Sequence, residues 1–96
     1  MKTIQLRALV GEFAENKDIA RDLREREILP ALKKGEEIVM DFSEITGATQ
    51  SFVHALISEA IRVYGSDVLD RLMFKNCNDS VRSIVIIVTE YMQESV

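Results

Sequence analysis

The side chains most able to contact a ligand or to take part in chemistry fall in three short polar groups. Asp41 and Ser43 end one apolar run, residues 49–51 (TQS) precede an amphipathic stretch, and residues 76–78 (NCN) end another apolar run. In an open α/β sheet, ligands and partners meet the carboxyl ends of strands and the starts of the helices that follow. We therefore expect these three groups to lie together on one rim of the fold.

Two hydroxyl residues, Thr49 and Ser51, stand where a helix is expected to begin. The start of a helix exposes backbone N–H groups and a partial positive charge, so it favours a bound anion. A phosphate on one of these hydroxyls would be stabilised there and would add up to about two negative charges to the surface. The alternative interpretation is that one of them only caps the helix, a contribution of about 1 kcal/mol.

The other reactive residues do not form a complete site. The chain has one histidine, His54, and one cysteine, Cys77, which are too few for a zinc site and leave a Cys–His nucleophile without an orienting third group. Asp41 and Glu44 form a carboxylate pair that can bind a cation, although turn hydrogen bonds are the commoner role of such residues. The four glycines are too far apart for a phosphate-binding loop. The sequence therefore predicts no catalytic residue, no metal site and no cofactor, and we expect a protein that is not an enzyme.

Length and composition favour a single domain over residues 1–96. Of the 96 residues, 47% are hydrophobic and 29% charged, and the net charge is −4. Nucleic acid is not an expected partner because no dense basic patch is present, and the acidic residues 36–96 are better suited to a basic protein surface. No membrane contact is expected, since no apolar run approaches the ~18–20 residues of a membrane span. A lone cysteine suits a reducing cytoplasm, which is the expected location.

The hydrophobic pattern predicts three strands that alternate with three helices. Strands are expected at residues 2–10, ended by Gly11, and at residues 37–42 and 69–75. Helices are expected at residues 16–34, 52–64 and 78–94, and residues 44–50 are expected to form a polar loop. This order of elements predicts one α/β domain with parallel pairing of the later strands and right-handed connections.

The first expected helix contains a break in its apolar pattern. Asn16 is its expected cap and Gly35 its end, but Ile28 falls roughly opposite Ile19 on a regular helix. Pro30 lacks a backbone donor and clashes with the preceding turn. A bend near residues 27–30 is therefore expected, with a second contact patch formed by Ile28, Leu29 and Leu32.

The second expected helix has the clearest two-sided pattern. Its polar side carries His54, Ser58, Glu59 and Arg62, and Gly65 follows its last turn. Its apolar arc consists of Val53, Leu56, Ile57, Ala60, Ile61 and Tyr64.

The last expected helix has a competing interpretation, because residues 83–89 (SIVIIVT) have a high propensity for a strand. A helix capped by residues 78–80 is preferred because six apolar residues share one arc over three turns: Val81, Ile84, Val85, Val88, Tyr91 and Met92. Ile86 and Ile87 lie off that arc and are expected to be covered by another element or by a partner.

Residues 38–53 (IVMDFSEITGATQSFV) resemble the central strand, loop and helix of STAS domains, the fold of the anti-sigma factor antagonists. A closer resemblance, to a bacterial STAS-like family of unassigned function, runs from residues 13–18 (FAENKD) through 48–52 (ATQSF) to 74–78 (FKNCN). This resemblance covers most of the chain. It implies a STAS-like α/β fold, with a mainly parallel or mixed sheet and helices packed on it.

The resemblance to the antagonists implies a protein-binding switch. An antagonist docks on a partner kinase that has a GHKL-type ATPase domain, and it is released when that kinase phosphorylates the first hydroxyl residue of an Asp-Ser-Ser/Thr-Gly motif. With Asp41 and Ser43 aligned on the strand end of the antagonists, the acceptor position holds Gln50, which has no hydroxyl. Ser51 falls on the following hydroxyl position, so Ser51 is the first expected phosphoacceptor and Thr49 the second.

These inferences together predict a protein-binding regulatory module whose partner is a kinase-like ATPase or a similar regulator. The expected partner-binding residues are Asp41, Ser43, Thr46, Thr49, Gln50, Ser51, His54, Asn76 and Asn78. The alternative function is a structural or assembly subunit without a phosphoswitch. In that case Ile86 and Ile87 would form the contact of a homodimer or a larger complex.

Overall fold

The structure, a computed structural model, describes residues 1–95. In this range the strands are β1 (Lys2–Gln5), β2 (Phe13–Ala14), β3 (Ile38–Asp41), β4 (Gly47–Ala48) and β5 (Leu72–Lys75). The α-helices are α1 (Arg7–Val10), α2 (Lys17–Leu23), α3 (Leu29–Lys33), α4 (Gln50–Tyr64) and α5 (Asp79–Ser95). A π-helical segment, Arg24–Ile28, joins α2 to α3, and a 3₁₀ segment, Ser66–Arg71, precedes β5.

The main sheet has three parallel strands in the order β1–β3–β5. In its register Ile4 lies beside Met40, and Met40 lies beside Phe74. The residues Ile38, Val39 and Met40 of the central strand are all buried, as expected for a parallel strand that is covered on both faces. The predicted α/β class and the parallel pairing are confirmed.

The first strand is shorter than residues 2–10. The N–H of Leu6 donates to the carbonyl of Asp41 (3.1 Å), the last residue of the neighbouring strand. Beyond that point the chain has no strand to pair with, and Leu9 and Val10 donate back to the carbonyl of Leu6, both at 2.9 Å. Because β3 ends at Asp41, β1 ends at its partner Gln5. Residues 7–10 form α1 instead.

The expected break in the first helix is present as the π-helical segment. Asn16 caps α2 as predicted, since its Oδ1 accepts hydrogen bonds from the N–H groups of Asp18 (2.9 Å) and Ile19 (3.2 Å). The extra residue of a π-helical turn shifts the following positions by about 100° around the helix axis. That shift brings Ile28 and Leu32 into the core. The break lies at residues 24–28, slightly before the predicted 27–30.

The segment predicted to be a polar loop, residues 44–50, contains the short strand β4. It pairs in parallel with β2, with Phe13 beside Gly47 and Ala14 beside Ala48. A Cβ atom on Gly47 would lie 2.6 Å from Cε1 of Phe13, so only glycine lets the ring pack against the backbone here. Two-residue strands are too short to produce a periodic pattern, which explains why the sequence did not reveal this pair.

The third strand begins at Leu72 rather than at residue 69. The ladder with β3 starts at the pair Ile38–Leu72, so earlier residues have no partner and form the 3₁₀ segment. Arg71 fixes this segment, because its Nη2 donates to the carbonyl oxygens of Leu32 (2.6 Å) and Glu36 (3.3 Å).

The two long helices occur where they were predicted, and α5 excludes the strand alternative for residues 83–89. In each helix some residues differ in burial from the prediction, because the packing of neighbouring elements, and not only the position on the helix, determines which side chains are buried. Tyr64 and Tyr91 are exposed instead of buried, and Ser58 is buried instead of solvated. None of the helices within residues 1–95 combines the length and the apolar character needed to cross a membrane.

Candidate functional site

The start of α4 is capped by Thr49, which settles the choice between the two hydroxyl residues. The Oγ1 atom of Thr49 accepts a hydrogen bond from the N–H of Phe52 (3.1 Å), and the Thr49 N–H donates to the carbonyl of Ala14 (2.9 Å). The second strand pair therefore holds the cap in place. Ser51 lies in the first turn of α4 and is exposed, so its hydroxyl is accessible from solvent.

Three of the predicted residues form a hydrogen-bonded strand-end cluster: Asp41, Ser43 and Asn76. The Oδ1 atom of Asp41 accepts bonds from the Ser43 N–H (2.9 Å), the Ser43 hydroxyl (2.6 Å) and the Asn76 amide (3.0 Å). The bond from Asn76, followed by those from Ser43, lowers the pKa of Asp41 because all of them stabilise the ionised carboxylate. Asn76 adopts a left-handed backbone conformation (φ 60°), which asparagine tolerates better than most residues.

Asn78 and Thr46 are also engaged in internal hydrogen bonds. The amide nitrogen of Asn78 donates to the carbonyl of Thr46 (3.0 Å), while its Oδ1 accepts from the N–H of Val81 (2.8 Å) and caps α5. Thr46 donates through its N–H (2.7 Å) and its hydroxyl (3.0 Å) to the carbonyl of Glu12. These two side chains tie the loop after β3 to α5 and to the segment before β2.

The remaining predicted residues, Gln50, Ser51 and His54, line a groove between α2, α4 and α5. We call it the basic groove, because Lys17, Arg21, Arg24 and Arg62 also line it. Its volume is about 570 Å³. Part of this groove is visible in the sequence, because Lys17, Arg21 and Arg24 have the i, i+4, i+7 spacing of one helix face.

The polar residues expected on one rim thus fall into separate groups, which border different grooves. Asp41 and Ser43 border a different, smaller groove of about 300 Å³, together with Arg7 and Glu44. Ser51 and His54 border the basic groove instead. The polar residues at the strand ends bond to one another, whereas Gln50, Ser51 and His54 line the basic groove.

The isolated cysteine and histidine do not meet. Cys77 follows β5 and is half-buried; burial raises the pKa of its thiol, an effect that Arg82 opposes and Asp41 reinforces. A raised pKa disfavours the nucleophilic thiolate. His54 lies in the basic groove, with its ring centroid 6.4 Å from that of Tyr91. Within residues 1–95, no three His, Cys, Asp or Glu side chains come together as ligands for a metal ion.

The chain is a small α/β domain with a parallel sheet in the order β1–β3–β5, and a family model identifies its fold as STAS-like. The model of the family described as STAS-like domain of unknown function (DUF4325) matches residues 20–82, and the chain belongs to this family. The match spans the central strand, α4 and β5, and so includes every predicted site residue from Asp41 to Asn78. No curated protein and no solved structure gave a significant match.

Proposed function

We propose that the chain is a protein-binding regulatory module without catalytic activity, whose partner docks around the start of α4. Exposed Ser51 in the first turn of a capped helix is the observation that carries this proposal, together with the STAS-like family. The partner is a kinase with a GHKL-type ATPase domain, or a regulator controlled by such a kinase. The module works in the cytoplasm, where the lone Cys77 stays reduced.

Phosphorylation of Ser51 is the switch in this proposal. The hydroxyl of Thr49 already accepts the capping bond from Phe52, so phosphorylation there would break the cap, whereas Ser51 carries no such role. A phosphate on Ser51 would lie near the positive end of a 15-residue helix and beside the groove lined by Lys17 and Arg21. It would change the charge of the docking surface by about two units and so release the partner.

The phosphoacceptor is tested by intact-mass spectrometry. Wild-type protein incubated with ATP in extract of its native cells is expected to gain the mass of one phosphate, and the Ser51→Ala variant is expected to lose this gain. Ser80→Ala is the matched control, because Ser80 is also exposed in the first turn of a helix. A phosphate that remains in Ser51→Ala and disappears in Thr49→Ala would move the switch to the capping residue.

Docking is tested separately by size-exclusion chromatography with light scattering. The wild-type protein is mixed with a purified GHKL-type kinase from the same cells, with and without nucleotide. A complex is expected for the wild type and for Ser51→Ala, and a weakened complex is expected for Ser51→Glu, which places a negative charge at the acceptor position. Failure of the wild type to form any complex, in either nucleotide condition, would contradict the proposed partner class.

An assembly subunit remains the second candidate, because α5 exposes two large aliphatic side chains. Ile86 and Ile87 are 47% and 46% exposed, and apolar groups of this size on one helix are typical of contact surfaces. If they mediate self-association, the double variant Ile86→Glu/Ile87→Glu will dissociate an oligomer of the wild type. A wild type that is monomeric by light scattering rules the homodimer out.

A further inference from the structure

The basic groove has properties of a small-molecule site that partner docking does not explain. It lies along α4, which packs against both α2 and α5. From Gln50 to Arg62 it extends over twelve residues of helix, a length of about 18 Å. Its volume of about 570 Å³ falls within the ~300–1,000 Å³ that is typical of ligand pockets.

One wall of the basic groove is strongly cationic. Lys17, Arg21 and Arg24 contribute from α2 and the turn after it, Arg62 contributes from α4, and no acidic residue in the range 1–95 lines the groove. Arg21 and Arg62 contact Asp18 and Glu59, each at 3.4 Å, but these exposed pairs are weak and leave the guanidinium groups available. In the described part of the chain Lys17 has no ion-pair partner. The groove therefore favours an anion.

Among the cations that line the groove, Arg24 is the one that the fold holds most firmly. Its Nη1 donates to the carbonyl of Ala55 (3.4 Å) on α4, and its Nη2 contacts Glu25 (2.8 Å). Only 17% of the Arg24 side chain is exposed. A guanidinium fixed in this way loses little conformational freedom when it binds a phosphate or carboxylate, which makes it an effective anchor.

Ser58 supplies an observation that is independent of charge. It is 3% exposed and lines the basic groove, and its hydroxyl has no hydrogen-bond partner among residues 1–95. Every side-chain oxygen in that range that is fully shielded from solvent has a hydrogen-bond partner. Because the Ser58 oxygen has none, it must be accessible from the groove. A hydroxyl that reaches only the groove is free to bond to whatever occupies it. A ligand oxygen that accepts a hydrogen bond from Ser58 would take the place of solvent there.

The start of α4 and the face of α5 complete the site. Gln50 and Ser51, the first two residues of α4, line the groove, and the partial positive charge of the helix start adds to its attraction for an anion. Across from the cations the groove is apolar, with Ile87 and the ring of Tyr91 on α5. The preferred ligand thus has an anionic group and an apolar body.

We propose that the basic groove binds a small organic phosphate, with the phosphate contacting Lys17, Arg21 and Arg24 and accepting a bond from Ser58, and with an apolar body lying against Ile87. This site borders the proposed phosphoswitch at Ser51, but it needs neither a partner protein nor phosphorylation of Ser51. It also accounts for the exposure of Ile87, which the ligand would cover.

The probe for this proposal is 2-naphthyl phosphate, followed by amide chemical shifts of ¹⁵N-labelled protein. Saturable shifts are expected in α2, the first half of α4 and the Ile87 region of α5. Inorganic phosphate tests the anionic contact alone, and 2-naphthol tests the apolar contact alone. Both are expected to bind at least about tenfold more weakly than 2-naphthyl phosphate, because each retains only one of the two contacts.

The double variant Lys17→Ala/Arg21→Ala is expected to weaken binding of 2-naphthyl phosphate by about tenfold or more. The control Lys33→Ala/Lys34→Ala removes the same charge from residues that do not line the groove, and it should bind like the wild type. Ser58→Ala provides a second test that does not change the charge, with an expected weakening of several-fold.

Several results would overturn the proposal. Binding of 2-naphthol as tight as that of the phosphate ester would show a purely apolar groove, and equal weakening by both double variants would show only a general effect of charge. Tighter binding of a glutamate-rich decapeptide than of 2-naphthyl phosphate would assign the groove to an acidic protein segment. None of these results bears on whether the kinase binds or phosphorylates the protein.

Discussion

The strand-end cluster and the basic groove contain similar residue types but use them differently. In the cluster, one carboxylate oxygen of Asp41 accepts bonds from both Ser43 and Asn76. In the groove, the hydroxyl of Ser58 and the ammonium group of Lys17 have no such partners among residues 1–95. Polar residues at the ends of the strands therefore build the fold, whereas those between α2 and α4 are available to a ligand. Hydrogen-bond partners, not residue types, distinguish the two roles.

The strongest test of this comparison is Asn78→Ala. Asn78 caps α5 through Oδ1 and holds the carbonyl of Thr46 through its amide nitrogen, so its removal affects two elements. We expect the free energy of unfolding in urea to fall by about 1–3 kcal/mol. Asn78→Asp keeps the capping oxygen and should recover part of this loss. A variant as stable as the wild type would show that Asn78 is not a structural residue.

The two hydroxyl residues at α4 provide the next test. Thr49→Ala removes the bond to the N–H of Phe52 and should lower the free energy of unfolding by about 1 kcal/mol. Ser51→Ala should change it by less than about 0.5 kcal/mol, because Ser51 is exposed and does not cap the helix. Thr49→Ser retains the capping oxygen and serves as the control. Equal losses for the two alanine variants would contradict this assignment of roles.

Elements with long patterns or strong end signals were predictable from the sequence. The apolar run of β3, the two-sided pattern of α4 and the arc of α5 each extend far enough to determine the element, and Asn16 is a strong capping residue. The end of β1 at Gln5 was not predictable, because it depends on where the neighbouring strand stops. The pair β2–β4 was not predictable either, since two residues carry no period.

From the sequence, we could predict only those contacts of the candidate site that follow directly from the order and direction of the strands. The contact between Asp41 and Asn76 follows from parallel strands that end together, and it is present. The basic groove depends instead on how α2 packs against α4, which a pattern within one helix does not reveal. For the same reason Ser58 belongs to the polar arc of its own helix, yet packing of the neighbouring helices buries it.

Asp41→Asn tests the charge in the strand-end cluster with a smaller change, because the amide oxygen of asparagine still accepts hydrogen bonds. The pKa of Asp41 is lower in the folded chain than its ordinary value of 3.8. The ionised group therefore stabilises the fold above that value, and this stabilisation is lost as the pH falls through the lowered pKa. Thermal unfolding should show the variant to be less stable at neutral pH, with the difference disappearing in acid below 3.8. A difference that is independent of pH would exclude a contribution from the charge.

Ser58→Ala is expected to have the smallest effect on stability, and in the opposite direction. The Ser58 hydroxyl makes no hydrogen bond within residues 1–95, and alanine has a higher helix propensity than serine, so the free energy of unfolding should stay constant or rise by up to about 0.5 kcal/mol. Ser43→Ala is the matched control, because the Ser43 hydroxyl donates to Asp41 at 2.6 Å and its loss should destabilise the fold by about 0.5–1.5 kcal/mol. If urea denaturation shows the same loss for both, Ser58 is bonded within the fold like Ser43. A serine that is neutral for stability but needed for binding 2-naphthyl phosphate is instead a ligand contact.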